Sequence, residues 1–117
     1  MQQPEEFPSE RRRHPRIETR IQMSLVADKR NVSAETINLS MSGVLCRVDR
    51  PIEMMTCLEI VLMLPHEGAP DDVIYVECEG IVVRDEKTAN GHHVSIFFNN
   101  MEKDEMRKLT AYIAVHS

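Results

Sequence analysis

A chain of 117 residues and 13.5 kDa has room for one domain. With 42% hydrophobic and 28% charged residues it has an ordinary globular composition, which excludes collagenous and wholly disordered classes. The net charge of -5 hides a split: residues 11–20 hold five arginines against one acid, Glu18, whereas from residue 31 onward seven bases stand against fourteen acids. An acidic body repels a nucleic-acid polymer, while a basic arm suits a small, compact anion.

In chain order, residues 1–10 read as a flexible N-terminal leader, because two prolines and three acids offer no periodic apolar face. They contain no apolar h-region, so no secretory signal is read. Residues 11–117 read as the domain proper. It opens on the arginine segment, where Pro15 biases His14 toward extended backbone. Ile21, Met23, Leu25 and Ala27 alternate as one face of a first strand. Asp28–Asn31 is a turn, a second strand starts over Ala34–Asn38, and Val44–Val48 is a third, closed by Pro51. Leu58–Leu64 is a fourth strand, and His66–Asp72 a loop. Val73–Arg84 is a long fifth strand in which Gly80 marks a bulge or bend. Asn90-Gly91 signals a hairpin, since both residues favour positive φ, and His92–Phe98 is the sixth strand. The period then changes. Met106, Leu109 and Ile113, with Met101 or Glu102 one turn earlier, fit a helix capped by Asn99 or Asn100. The expected fold is mainly β: a six-stranded antiparallel β-barrel, plugged or flanked by a C-terminal α-helix.

The longest apolar run, Ile60–Leu64, falls far short of the roughly 18 residues of a membrane helix, so no membrane insertion is expected. Three cysteines without a Cys-x-x-Cys spacing read as reduced thiols in a cytoplasmic protein, not as a disulfide frame or a zinc site. Cys46 and Cys78 lie in register with valines and read as small core residues, and Met23, Met63 and Met106 read as core gap-fillers. No nucleophile elbow, zinc-protease helix, P-loop or dinucleotide fingerprint is present, so the chain does not read as an enzyme. His92 and His93 are adjacent on a strand and point to opposite faces, a poor arrangement for one shared metal.

Two segments stand out together: Arg11-Arg12-Arg13-His14-Pro15-Arg16 and Asn38-Leu39-Ser40-Met41-Ser42-Gly43. Singly, each is bland. An arginine cluster is usually a solvated arm, Arg16 has acids such as Glu18 to pair with, and Asn38 and Ser40 have the composition of a self-bonding turn. In this order, around a strand hairpin, they resemble the signature of the PilZ domain, a bacterial receptor for cyclic di-GMP: Arg-x-x-x-Arg, then [Asp/Asn]-x-Ser-x-x-Gly. Arg12 and Arg16 match the first motif; Asn38, Ser40 and Gly43 match the second. Gly80-Ile81-Val82-Val83-Arg84 is similar to the family's Gly-x-Val-x-Arg strand, and Val94–Phe98 to its last strand. The likeness spans roughly residues 10 to 115, and departs where His93-Val94-Ser95 replaces a frequent Gly.

The resemblance implies a binding module without cofactor whose ligand is cyclic di-GMP, held by Arg11, Arg12, Arg16, Asn38, Ser40 and Gly43. Guanidinium groups match phosphates and the guanine O6/N7 edge, and stack on purines. Asn38 suits a guanine edge, Ser40 a phosphate or ribose oxygen, and Gly43 allows a positive φ and close approach. Arg11, just before the first motif, goes in this family with a stacked, intercalated ligand dimer. The implied output is a change in the N-terminal arm that signals to an unidentified downstream protein. Arg84 is left open between the site and a pair with Asp85. The alternative is a PilZ-like protein–protein adaptor that does not bind nucleotide, and the five motif residues argue against it. An OB- or Sm-like nucleic-acid barrel ranks third, because the strands are acidic and hold few stacking aromatics.

Overall fold

The computed structural model describes residues 16–66 and 68–117. Among the described residues seven strands run in chain order: β1 (Ile17–Glu18), β2 (Gln22–Ala27), β3 (Arg30–Leu39), β4 (Gly43–Val48), β5 (Cys57–His66), β6 (Ala69–Thr88) and β7 (Gly91–Asn100). The helix α1 (Lys103–His116) follows. All pairings are antiparallel, in the order β3-β2-β5-β6-β7-β4, and β4 pairs back onto β3. Six strands therefore close into a barrel. β1 is an addition, a two-residue strand that continues along β3 beyond β2. The expected leader, residues 1–10, and the arm residues 11–15 lie outside the described residues.

The alternation that marks each strand fills the interior. Met23, Leu25, Leu39, Ile60, Leu62, Leu64, Val76, Val82 and Val94 are each almost completely buried. Cys46 and Cys78 join them, and burial pushes both thiols up to about 12. Of the methionines read as core residues, Met23 is buried, Met63 is only half-buried on the outward phase of β5, and Met106 is exposed. Leu109, Tyr112 and Ile113 enter the same core as the barrel.

The connections depart from the expectation in four places. The segment read as a loop over 66–72 is mostly strand, because β6 pairs with β5 from Ala69↔His66 onward and Gly68 turns the chain at φ 79°. Polar residues persist there because this end of the ladder projects into solvent. The β6–β7 turn is Ala89-Asn90, with Thr88 opposite Gly91; of the expected Asn90-Gly91 pair only Gly91 has positive φ. The first hairpin uses Asp28 and Lys29, both at positive φ, as a type I′ turn requires. Finally, Asn99 and Asn100 both belong to β7, Asn100 opposite Glu79 and Asn99 as the extra residue of a bulge, so neither caps the helix; Glu102 is the N-cap and makes no side-chain cap bond.

Candidate functional site

The short β1 puts Arg16 where the second motif is. Ile17 lies opposite Leu39 and Glu18 opposite Asn38, so Arg16 comes next in line beside Ser40. Ile17 and Leu39 point into the core. Arg16, Glu18 and Asn38 therefore face outward. Thr36 holds this junction together. Its hydroxyl, 2% exposed, donates to the Thr19 carbonyl and accepts the Ile21 N–H at 2.9 Å. Both capacities of a buried hydroxyl are thus used where the chain crosses from β1 to β2.

A bulge aims Asn38. Thr36 pairs with Cys46 of β4, but Asn38 pairs with Leu45, leaving Ile37 as the extra residue. Strict alternation after Val32, Ala34 and Thr36 would send residue 38 inward. The bulge turns Asn38 out and Leu39 in. Ser40 then organises the β3–β4 turn from a nearly buried position. Its N–H donates to the Gly43 carbonyl at 3.0 Å, and its Oγ accepts the N–H of Ser42 at 3.2 Å and of Gly43 at 3.3 Å. So the self-bonding reading of Ser40 is correct, and its hydroxyl is already engaged by the turn. The helix backs both connections: Tyr112 Oη lies 3.0 Å from Thr19 Oγ1 between β1 and β2, and Thr110 Oγ1 lies 3.5 Å from Met41 Sδ in the β3–β4 turn.

Gly43 is required for a reason the motif did not disclose. Its φ is not positive. A Cβ at this position would sit 2.3 Å from the backbone oxygen of Ile96 on β7. The glycine allows β4 and β7 to approach at the edge of the site.

These residues share one groove of about 220 Å³ on the outer face of the barrel, lined by Arg16, Asn38, Ser40 and Gly43 together with Ser95 and Phe97 of β7 and Val83 of β6. Arg16 is the groove's charged residue, exposed and without an ion-pair partner among the described residues. Larger concavities exist, but size does not select the site. One of about 370 Å³ is lined by five glutamates, Glu59, Glu77, Glu79, Glu102 and Glu105, which repel an anion. Arg11 and Arg12 lie outside the described residues, so the structure unites Arg16, Asn38, Ser40 and Gly43.

Phe97, Val83 and Ser95 were missed as lining residues. A signal existed for Phe97: in Ile96-Phe97-Phe98 one ring must face outward, and Phe97 is 51% exposed. Arg84 stands outward opposite Ser95 and does not pair with Asp85. Asp85 instead takes His92 Nδ1 at 2.8 Å on one oxygen and the Ile52 N–H at 3.3 Å on the other, which ties the β4–β5 loop to the last hairpin. Among the described residues, no group of three or more His, Cys, Asp or Glu side chains is arranged to hold a metal, and no helix is long and apolar enough to cross a membrane.

A family model described as PilZ domain matches residues 10–115. No curated protein matches the sequence. Among solved structures, the chain is similar to the inhibitor of motility (MotI/DgrA) of Bacillus subtilis, with a TM-score of 0.77 and 15% identity, over 90% of this chain and 50% of that one. The chain thus spans half the length of that protein. It is also similar to the PilZ domain with c-di-GMP of YcgR from Escherichia coli, at a TM-score of 0.69 and 15% identity, over 91% of each chain. A third likeness is to the PilZ domain of CeSA from a cellulose-synthesizing bacterium, at 0.60 and 18%, over 87% of this chain and 98% of that one. At these identities the structural likeness establishes the fold.

Proposed function

Because this chain belongs to the PilZ domain family, we propose that it is a receptor for cyclic di-GMP that binds the nucleotide on the β3–β4–β7 face and passes the signal to a partner protein. It does so as a binding module, not as an enzyme, in the bacterial cytoplasm. The observation that carries the reading is the convergence of Arg16, Asn38, Ser40 and Gly43 on one outward groove.

The chemistry suits a guanine-bearing phosphodiester. Arg16 supplies a free guanidinium for a phosphate or a guanine O6/N7 edge. Asn38 offers a donor and an acceptor from a half-buried, outward position. Phe97 and Val83 give an apolar wall for a base face. Ser40 acts mainly through the turn, presenting the loop at a fixed height. At about 220 Å³ the groove is smaller than the roughly 300–1,000 Å³ of pockets that enclose a drug-sized ligand. A ligand with two bases and two phosphates extends beyond it, and Arg11 and Arg12, just upstream of β1, are the residues to meet it. Neutralising those arginines fixes the arm against the barrel, which is the change a partner reads.

Calorimetric titration with cyclic di-GMP, with GMP as the control, tests the reading. Saturable binding of cyclic di-GMP and far weaker binding of GMP are expected; two ligands per protein mark the stacked dimer. Hydrogen exchange should slow around residues 11–16 and 38–43. Equal binding of both nucleotides, or none, overturns it.

A further inference from the structure

Beside the groove, and sharing Phe97 and Val83 with it, the barrel surface carries a further feature. Four neighbouring strands set Gly43 opposite Phe97, Phe97 opposite Ile81, and Ile81 opposite Cys57. Their chain neighbours Val44, Ile96, Phe98, Val82 and Leu58 are buried, so this row faces outward. Three interstrand spacings of about 4.8 Å make it about 14 Å wide. Val83, the extra residue of a second bulge, stands beside it, 46% exposed. At the β5 end the Met55 N–H donates to the Val82 carbonyl at 2.7 Å, which fixes Met54 and Met55 alongside, 56% and 68% exposed. Four of the eight large hydrophobic residues exposed among the described residues, Met54, Met55, Val83 and Phe97, thus gather at one place. A contiguous apolar surface of this kind marks an interaction site.

Charge selects the occupant. Two residues along the strands, on the same outer face, Glu59 lies directly opposite Glu79, and Glu77 follows on β6. Like charges directly opposite destabilise a sheet. Glu79 accepts the Asn100 side-chain N–H at 3.2 Å, but Glu59, Glu77 and Glu79 have no Lys or Arg partner among the described residues. A second copy of this chain would set acidic rows against each other. A segment that covers the row with apolar residues and reaches the glutamates with Lys or Arg satisfies both features. We propose that the Phe97–Ile81–Cys57 row is the docking surface for a cationic amphipathic segment of a partner protein.

Phe97 of the row and Val83 beside it also line the groove, so nucleotide in the groove changes one end of this surface. That coupling rests on the nucleotide reading; the surface itself does not.

The test is a titration of isotope-labelled full-length protein, followed by amide shifts, with three synthetic peptides: an amphipathic Leu/Lys peptide, the same peptide with Glu for Lys, and a Lys/Ser peptide without an apolar face. The first should saturate and shift Cys57, Glu59, Glu79, Ile81 and Val83, and the other two should not. Cys57→Lys and Glu59→Lys, both outside the groove, should each weaken that peptide by about tenfold or more and leave cyclic di-GMP titration unchanged. Glu79→Lys replaces either variant if it fails to fold. Equal binding of the Lys/Ser peptide, shifts elsewhere, undiminished affinity in the variants, or a dimer formed through this row overturns the proposal. Peptide docking without any cyclic di-GMP binding would leave the surface standing and remove the nucleotide reading instead.

Discussion

Gly43→Ala probes the closest backbone approach in the site. The added Cβ would lie 2.3 Å from the Ile96 carbonyl oxygen, and that oxygen belongs to a paired strand that cannot swing aside. A carbon and a carbonyl oxygen ordinarily meet at about 3.3 Å or more, so β4 and β7 must part by about 1 Å. That shift strains the Phe98 N–H bond to the Ser42 carbonyl, now 2.9 Å, and the Ser40 bonds to Gly43. Overpacking costs about 1–3 kcal/mol and a weakened hydrogen bond about 1 kcal/mol. Reduced unfolded-state freedom offsets about 0.4–1 kcal/mol. The net loss is about 2–3 kcal/mol, which at about 4 °C per kcal/mol lowers Tm by about 8–12 °C. Thermal unfolding followed by circular dichroism measures this, and calorimetry on the variant should show weakened cyclic di-GMP binding. Gly68→Ala is the contrast: its φ of 79° strains any side chain, but its Cβ meets nothing within 4 Å. It should lose stability without losing affinity. A Gly43→Ala protein with wild-type Tm and wild-type affinity would refute the close-approach argument.

Arg16→Ala should cost about 2–4 kcal/mol of cyclic di-GMP binding and leave Tm unchanged, because the side chain is exposed and unpaired among the described residues; near-normal titration curves for it and for Arg12→Ala would remove the arginines from the site. Asn38→Asp should retain more affinity than Asn38→Ala, since a carboxylate still accepts from guanine N–H groups; indistinguishable calorimetric curves mean that Asn38 reads no base. Thr36→Val leaves the Ile21 N–H without its buried acceptor and should cost about 1–3 kcal/mol of stability, with faster amide exchange at Ile17–Ile21 as the local signature. Glu105 accepts the Glu77 N–H at 2.7 Å and pairs with Lys108, which holds its carboxyl below the usual carboxylate range. A depressed pKa stabilises above the unfolded value of about 4.3 and is lost as pH falls through the lower folded value. Glu105→Gln should therefore flatten the acid limb of the stability–pH curve, and an unchanged limb would contradict the pairing.

Much of the barrel was legible because period-2 alternation reports directly which face is buried: Met23/Leu25 and Val94/Ile96/Phe98 fell where their pattern put them. The parts that were not legible lack such a signal. β1 is two residues long, and only its pairing to β3 defines it. The strand over 69–72 carries polar residues because its end covers no core, so composition imitates a loop. Asn99 and Asn100 have the chemistry of a helix cap, yet strand β7 runs through both, Asn100 in the ladder and Asn99 at a bulge. Met106 fits the helical period, but the barrel meets the face of Leu109, Tyr112 and Ile113, and Met106 stays exposed. For the candidate site, Arg16, Asn38, Ser40 and Gly43, read as one set, line one groove, and Arg11 and Arg12 lie outside the described residues, while the requirement at Gly43 is a contact across 53 residues of sequence that no local pattern encodes.

Two bulges, one in β3 and one in β6, shape the groove on the outside of the closed barrel. In an unbroken ladder each strand offers a fixed alternation, and Asn38 and Arg84 would both point into an apolar interior where neither finds a partner. One extra residue in β3, Ile37, and one in β6, Val83, reverse the phase, and both polar side chains turn outward. The bulges lie on either side of the β4–β7 pair, the same pair that Gly43 draws together. Local twist increases at a bulge, so two of them flanking one close pair bend the surface into a shallow trough. The groove thus depends in part on register: the β3 bulge turns Asn38 out into it and the β6 bulge leaves Val83 exposed along its wall, while Phe97 faces outward by the plain alternation of β7.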